Sequence, residues 1–200
     1  MRMKHFMIDI ETLGKGPYAP IISLGAIWFE PNEKDRMISS FYVTIDPIES
    51  EKRGFRVEAD TAMWWMKPAQ REAWDVWTKV LHFTPDDALH GFTQWLDHLD
   101  KVNPPYDEDG PDPDRPLKHR IFWGCGPGFD NEKLKMHYQM LNMDQPWDYG
   151  GDRCFRTFKN LPIAESVRPP EQGIAHKADD DALYQATWLT RIIAATGITV

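Results

Sequence analysis

Two carboxylates, Asp9 and Glu11, stand two residues apart inside the apolar segment MKHFMIDIE at 3–11. Read as a strand, that segment puts Met7, Asp9 and Glu11 on one face and Phe6, Ile8 and Ile10 on the other. The two acids would then sit about 6–7 Å apart along the backbone. Like charges at that range repel, and each raises the other's pKa. A hard divalent cation such as Mg²⁺ or Mn²⁺, which prefers carboxylate oxygen, removes the conflict. The other reading is a solvated strand end ahead of a turn. A third acid, Asp130, stands in WGCGPGFDNEKL, behind a short strand and at the start of a helix. An acid there binds metal or simply complements the helix dipole. The last cluster is HKADDDA, with His176 ahead of Asp179, Asp180 and Asp181. A histidine on a loop and an acid one helical turn further on can reach one point in space. Taken singly, the acidic run is ordinary dipole compensation and the histidine is structural.

Other chemistries lack their residues. The glycines before Asp130 do not make a dinucleotide fingerprint, because Phe129 holds the third glycine position and Pro127 sits in the turn. No GxxxxGK[ST] phosphate loop occurs, and Ser23, Ser39, Ser40, Ser50 and Ser166 lack a GxSxG elbow.

The elements that would position these residues follow from patterning. Strands are predicted at 3–11, 21–30 and 37–45, the last two joined by the turn residues PNEKD at 31–35 into a hairpin. A helix over 58–80 should break near Pro68, because proline removes a helix hydrogen bond. TPDD at 84–87 starts another helix running to about Leu99, with Thr84 as N-cap and Pro85 at the first position. The stretch NPPYDEDGPDPDRP at 103–116 reads as a mobile acidic surface loop. A strand at 119–124 leads to a helix ending near Met143. DRCFRTF at 152–158 fits a strand or a helix. Residues 176–197 form a terminal helix stopped by Gly197. The order implies a mixed α/β domain with helices on both faces of a sheet.

The chain has 200 residues, 42% hydrophobic and 27% charged, which is globular usage and fits one domain over 1–200. Its 2 cysteines, Cys125 and Cys154, form no CxxC pair, so neither a disulfide scaffold nor a structural zinc site is expected, and the implied compartment is a reducing cytoplasm. No long apolar run is present, so no membrane span is expected. A net charge of -8 argues against coating nucleic acid by bulk attraction. It leaves room for an enzyme that meets phosphates through bound metal ions. Lys52, Arg53, Arg56, Lys67, Arg71, Arg153, Arg156 and Lys159 are the cations that would meet a nucleic-acid strand, the other reading being that loose charges of this kind only solubilise.

The ordered set FMIDIET, mid-chain FD in a strand-to-helix turn, and HxAxxD near the end resembles the DEDDh exonucleases. These are RNase H-like 3′–5′ exonucleases that include the polymerase proofreading subunit and RNase T. The MWW stretch and the WGxGxxFD turn look closest to the small phage and prophage DexA-like exonucleases and the mycobacterial exoribonuclease relatives. The resemblance spans most of the chain. It implies an RNase H-like mixed five-stranded sheet flanked by helices on both faces. It also implies two divalent ions, Mg²⁺ or Mn²⁺, held by Asp9, Glu11, Asp130 and Asp181. His176 would position or deprotonate the attacking water. Asp181 is the matching acid because it lies five residues after His176, with Ala178 at the small position; the neighbouring acids depart from the family's usual apolar pair. Thr12 and Leu13 match positions that hold the terminal nucleotide. Trp64 and Trp65 could stack on bases, with at most one of them exposed. The implied reaction removes nucleoside 5′-monophosphates from the 3′ end of single-stranded DNA or RNA, and a homodimer is compatible with it. Competing readings are an end-binding module without turnover, a metal phosphoesterase acting on short nucleotides, and an interaction scaffold with acidic loops.

Overall fold

The structure is a computed structural model and describes residues 2–106, 110, 114–126 and 128–200. Residues 107–109 and 111–113 of the loop expected at 103–116, and Pro127, lie outside that set.

Three antiparallel strands open the chain: β1 (Lys4–Thr12), β2 (Ile21–Phe29) and β3 (Met37–Thr44). Further on come β4 (Arg120–Gly124) and β5 (Asp152–Cys154). They form one five-stranded mixed sheet of order β3-β2-β1-β4-β5, with β4 parallel to β1 and β5 parallel to β4. The strand alternation of β1 divides the core as predicted. Phe6, Ile8 and Ile10 face one apolar cluster with Leu89, Phe92 and Leu134. Met7 faces the other cluster, with Ile121, Phe155 and Leu189.

The helices are α1 (Pro47–Lys52), α2 (Ala59–Trp65), α3 (Arg71–Trp77), α4 (Pro85–Val102), α5 (Asp130–Met140), α6 (Phe155–Lys159) and α7 (Ala178–Thr196). The helix expected over 58–80 is two helices joined by a 3₁₀ turn that starts at Pro68. Thr84 caps α4 by accepting a hydrogen bond from the Asp87 amide at 3.1 Å. The ambiguous 152–158 segment is both alternatives in turn, a three-residue strand and then a short helix. On α7, Ala178, Ala182 and Ala186 are fully buried, and this stripe of small side chains lets the helix lie close to the sheet. Gly197 ends it in the left-handed conformation. No described helix is long and apolar enough to cross a membrane.

At the sheet end where β1 and β4 begin, Lys4 and Arg120 are buried against Asp100 of α4. Lys4 Nζ lies 2.7 Å from Asp100 Oδ1, and Arg120 Nη2 lies 2.6 Å from its Oδ2. The acids of interest lie at the other end of β1.

Candidate active site

Asp9 and Glu11 pair with Gly25 and Ser23 of β2, so both point to the α7 face, as the alternation predicted. Gly25 decides how near α7 comes. A Cβ at that position would lie 2.3 Å from the Ala178 carbonyl, so only glycine lets the first turn of α7 rest on β2 beside Asp9. Asp130 arrives from the opposite side. It is the first residue of α5, and a Cβ on Gly124 would fall 2.9 Å from the Asp130 Cβ. Buried Asn131 fixes that turn by donating to the Phe122 carbonyl at 3.2 Å and to Asp152 Oδ1 at 2.8 Å.

The HKADDDA cluster separates its three acids. Asp179 is taken by Lys177 Nζ at 2.6 Å. Asp180 Oδ2 accepts from the Ile174 amide at 2.9 Å. Asp181 turns inward and accepts from the His176 amide at 2.9 Å. His176 sits just ahead of α7 with φ of 66°, a left-handed conformation unusual for a residue with a Cβ. That turn directs its ring back toward β1, where Nδ1 lies 3.7 Å from Glu11 Oε1. Ligand atoms of Glu11, His176 and Asp181 all fall within 4.8 Å of one another.

Electrostatically the four acids are held in conflict. Burial, and then the charges of Asp130, Glu11 and Asp181, push Asp9 well above the ordinary carboxylate range against a hydrogen bond from Gln185. Burial lifts Glu11 to about 7 against the pull of His176. Burial lifts Asp130 to about 7 although the amides of Cys125 and of Asp130 itself oppose it. Asp181 also rises, chiefly through burial. His176 is raised by the neighbouring Glu11 carboxylate. Asp130 Oδ2 is buried without a hydrogen-bond partner. An orphaned carboxylate oxygen beside three further acids is the donor set a divalent cation satisfies, so the residues fit the metal that the motif implies.

A groove of about 460 Å³ opens beside Glu11, lined among others by Thr12, Gly14, Lys15, Trp64 and Phe129. Its walls are fastened from below. Buried Lys133 donates to the Gly14 carbonyl at 3.2 Å and to the Gly16 carbonyl, and its ammonium lies 4.9 Å from the Phe129 ring centre. Glu58 accepts from the Lys15 and Gly16 amides at 2.9 and 2.8 Å.

Trp65 is 4% exposed and its indole donates to the Thr12 carbonyl at 3.0 Å, so it is a core residue and not a base-stacking platform. Trp64 is half-buried, edge-on to His176 with ring centres 5.0 Å apart. Leu13 packs with Ile22, Trp65 and Ala73, so its side chain belongs to the core and not to the groove. Thr12 lines the groove, although its hydroxyl is engaged by the Gly14 carbonyl at 2.8 Å. Of the basic residues, Lys67 lines the groove. Arg156 is held by the Cys125 carbonyl, Arg153 by that of Gly150, and Arg53 pairs with Asp86.

Sequence reasoning missed Gln185, Asn131, Lys133 and Glu58. Gln185 lies four residues after Asp181, on the same face of a helix, so the spacing held a usable signal. It donates to Asp9 Oδ1 at 2.7 Å.

The sheet order and the helices on its two faces define an RNase H-like α/β fold, with Asp9 and Glu11 on its central strand. The chain superposes on the nuclease domain of 3′hExo, a DEDDh family member solved with rAMP bound, with a TM-score of 0.61 at 14% identity, covering 98% of this chain and 94% of that one. It superposes on cell-death related nuclease 4 with a TM-score of 0.60 at 19% identity, covering 97% of this chain and 64% of that one. It also superposes on E. coli exonuclease I in complex with single-stranded DNA, with a TM-score of 0.61 at 12% identity, covering 98% of this chain and 41% of that one. No curated protein sequence matches. The chain belongs to the Rv2179c-like 3′–5′ exoribonuclease domain family, whose model matches residues 4–193.

Proposed function

We propose that this protein removes nucleoside 5′-monophosphates one at a time from the 3′ end of single-stranded nucleic acid, with RNA as its principal substrate. One observation carries the reading: Glu11 and Asp181, from two separate elements, come within 4.8 Å of His176 at the end of β1, and the buried Asp9 and Asp130 lie close enough for the acids to raise one another's pKa. The family's exoribonuclease description supports RNA, and the rAMP in one structural neighbour is of the same chemistry.

Asp9, Glu11, Asp130 and Asp181 would hold two divalent ions, Mg²⁺ or Mn²⁺. Bound there, such ions neutralise the acids, lower the pKa of a bound water and stabilise the leaving 3′ oxygen. The chain's own residues do the rest. Asp130, at the start of α5, and Asp9, in mid-sheet, are rigidly placed, which fixes the geometry before substrate arrives. Glu11 engages Nδ1 of His176, leaving Nε2 as the atom that takes a proton from the attacking water. Gln185 orients Asp9. The groove takes a nucleotide against the face of Trp64, while Thr12 and the Gly14–Gly16 backbone line its other side. The reading takes residues 1–200 as one exonuclease domain acting in the cytoplasm.

The test is incubation of matched 5′-labelled single-stranded RNA and DNA with Mg²⁺ or Mn²⁺. A 3′-to-5′ ladder that is faster on RNA and absent with chelator is expected. Internal cleavage, or turnover of mononucleotide esters without any turnover of strands, would overturn it.

A further inference from the structure

The groove beside Glu11 is bounded in part by Trp65 and Lys67. Both residues also line a second hollow of about 340 Å³, bounded further on by Met66, Pro68, Arg71, Trp74 and Asp75. The hollow is therefore the groove's immediate neighbour, with Trp65 and Lys67 common to both. The hollow has an apolar floor, with two cations and one acid, Asp75, at its rim. Lys67 is exposed and has no acidic partner among the described residues. Arg71 is 79% exposed at its side chain, and its only described ion pair is a long one, Nε to Asp75 Oδ2 at 3.5 Å. Exposed pairs of that kind are weak and yield readily to a better anion. In a chain carrying a net charge of -8, two cations to one acid around an apolar surface are a local excess of positive charge. Cations that track a phosphate backbone beside aromatic and apolar side chains are the chemistry of single-strand binding.

We infer that Lys67 and Arg71 form a phosphate subsite of the nucleic-acid track, one step beyond the groove beside Glu11. It rests on the proposed function, and it adds that the enzyme grips more of the strand than the nucleotide it releases. Two sources present the same phosphate. One is the backbone phosphate of a further nucleotide, and the other is a phosphate on the 3′ end itself. The first makes the enzyme length-sensitive. The second makes it competent on 3′-phosphorylated ends.

The variants are Lys67→Gln, Arg71→Gln and the pair together. Both side chains are exposed, so the fold is not at risk, and thermal melting checks it. Binding of a 5′-fluorescein-labelled pentanucleotide by anisotropy in EDTA needs no turnover. It should weaken about tenfold in the double variant. Its dependence on log salt should flatten by roughly 0.7 for each lost phosphate contact. In Mn²⁺, kcat/KM for the pentanucleotide, divided by that for thymidine 5′-monophosphate p-nitrophenyl ester, should fall by a similar factor. If the loss appears on 3′-hydroxyl strands and grows from two to five nucleotides, the source is the backbone. If it appears only on 3′-phosphorylated strands, the source is the terminal phosphate. An unchanged salt slope and unchanged ratios on every substrate would overturn the subsite while leaving the nuclease reading intact. Salt-dependent binding that needs Lys67 and Arg71, in a protein that hydrolyses no strand, would overturn the nuclease reading and leave the subsite.

Discussion

His176 carries the sharpest consequence at the scale of single residues. Its ring is aimed by a left-handed backbone turn, by the Glu11 carboxylate at 3.7 Å and by the edge-on Trp64 ring. A general base must be neutral to accept a proton, so activity should rise with pH as His176 deprotonates. Glu11 moves that rise upward, and bound cations pull it back. His176→Ala should lower kcat by roughly 10²–10⁴, the usual loss of general-base help, and should abolish that acid limb. Measuring kcat against pH at saturating Mn²⁺ for both proteins checks it. An unchanged limb in the variant would leave water activation to metal alone. The types and spacing of the acids were legible because β1 alternates and HxAxxD has a fixed length. Of the three consecutive acids, Asp179 meets Lys177 and Asp180 the Ile174 amide, while Asp181 lies within reach of Glu11 and His176. What the sequence hid was local conformation. A φ of 66° at His176 has no sequence signature, since histidine is not glycine. Nor did the MWW run reveal that Trp65 spends its indole on the Thr12 carbonyl.

At the scale of elements, the strands and the long helices were readable from period and caps, and the short pieces were not. Residues 152–158 hold only three residues of strand before a five-residue helix, too few for either period to show. Close approaches between elements were equally invisible. Gly25 reads as a weak point in an apolar strand, yet a methyl there would meet the first turn of α7 at 2.3 Å from backbone atoms that have nowhere to move. Gly25→Ala should therefore destabilise by about 1–3 kcal/mol, as overpacking does. It should also cost activity out of proportion, because the displaced turn carries Asp181 and His176. Lys133→Met supplies the contrast. It releases the Gly14–Gly16 backbone at the groove while leaving α7 in place. It should raise KM severalfold more than it lowers kcat. Steady-state kinetics beside thermal melting separates the two. A kcat loss in Lys133→Met at constant KM would mean that the loop serves the acids and not the groove.

For the whole molecule, two buried charge clusters at opposite ends of the sheet pull stability in opposite directions with pH. At one end Asp100 is held below the ordinary carboxylate range: burial acts against it, but His119, Lys4 and Arg120 outweigh burial. A depressed folded pKa gives stability that is present above the unfolded value of about 3.9 and lost as pH falls below it. At the other end, the acids at the centre have raised folded values, with Glu11 and Asp130 near 7. Between about pH 4 and those values the folded state binds more protons than the unfolded one, so stability falls as pH rises through that window. Without metal, the melting temperature should therefore peak in the mildly acidic range and decline toward pH 8. A divalent cation binds the folded protein with the acids ionised, so added Mn²⁺ should raise the melting temperature, and more at pH 8 than at pH 5.5. Asp130→Asn removes one charge from the cluster at the price of a ligand. In EDTA at pH 8 it should melt above the parent protein, and it should lose most of the Mn²⁺ increment together with turnover. Differential scanning fluorimetry over pH 4–9, in EDTA and in Mn²⁺, measures all of these together. A metal-free melting temperature that climbs steadily from pH 5 to pH 8, or an Asp130→Asn variant with the parent's full response to Mn²⁺, would show that the buried acids are not the strained, cation-accepting centre described for them.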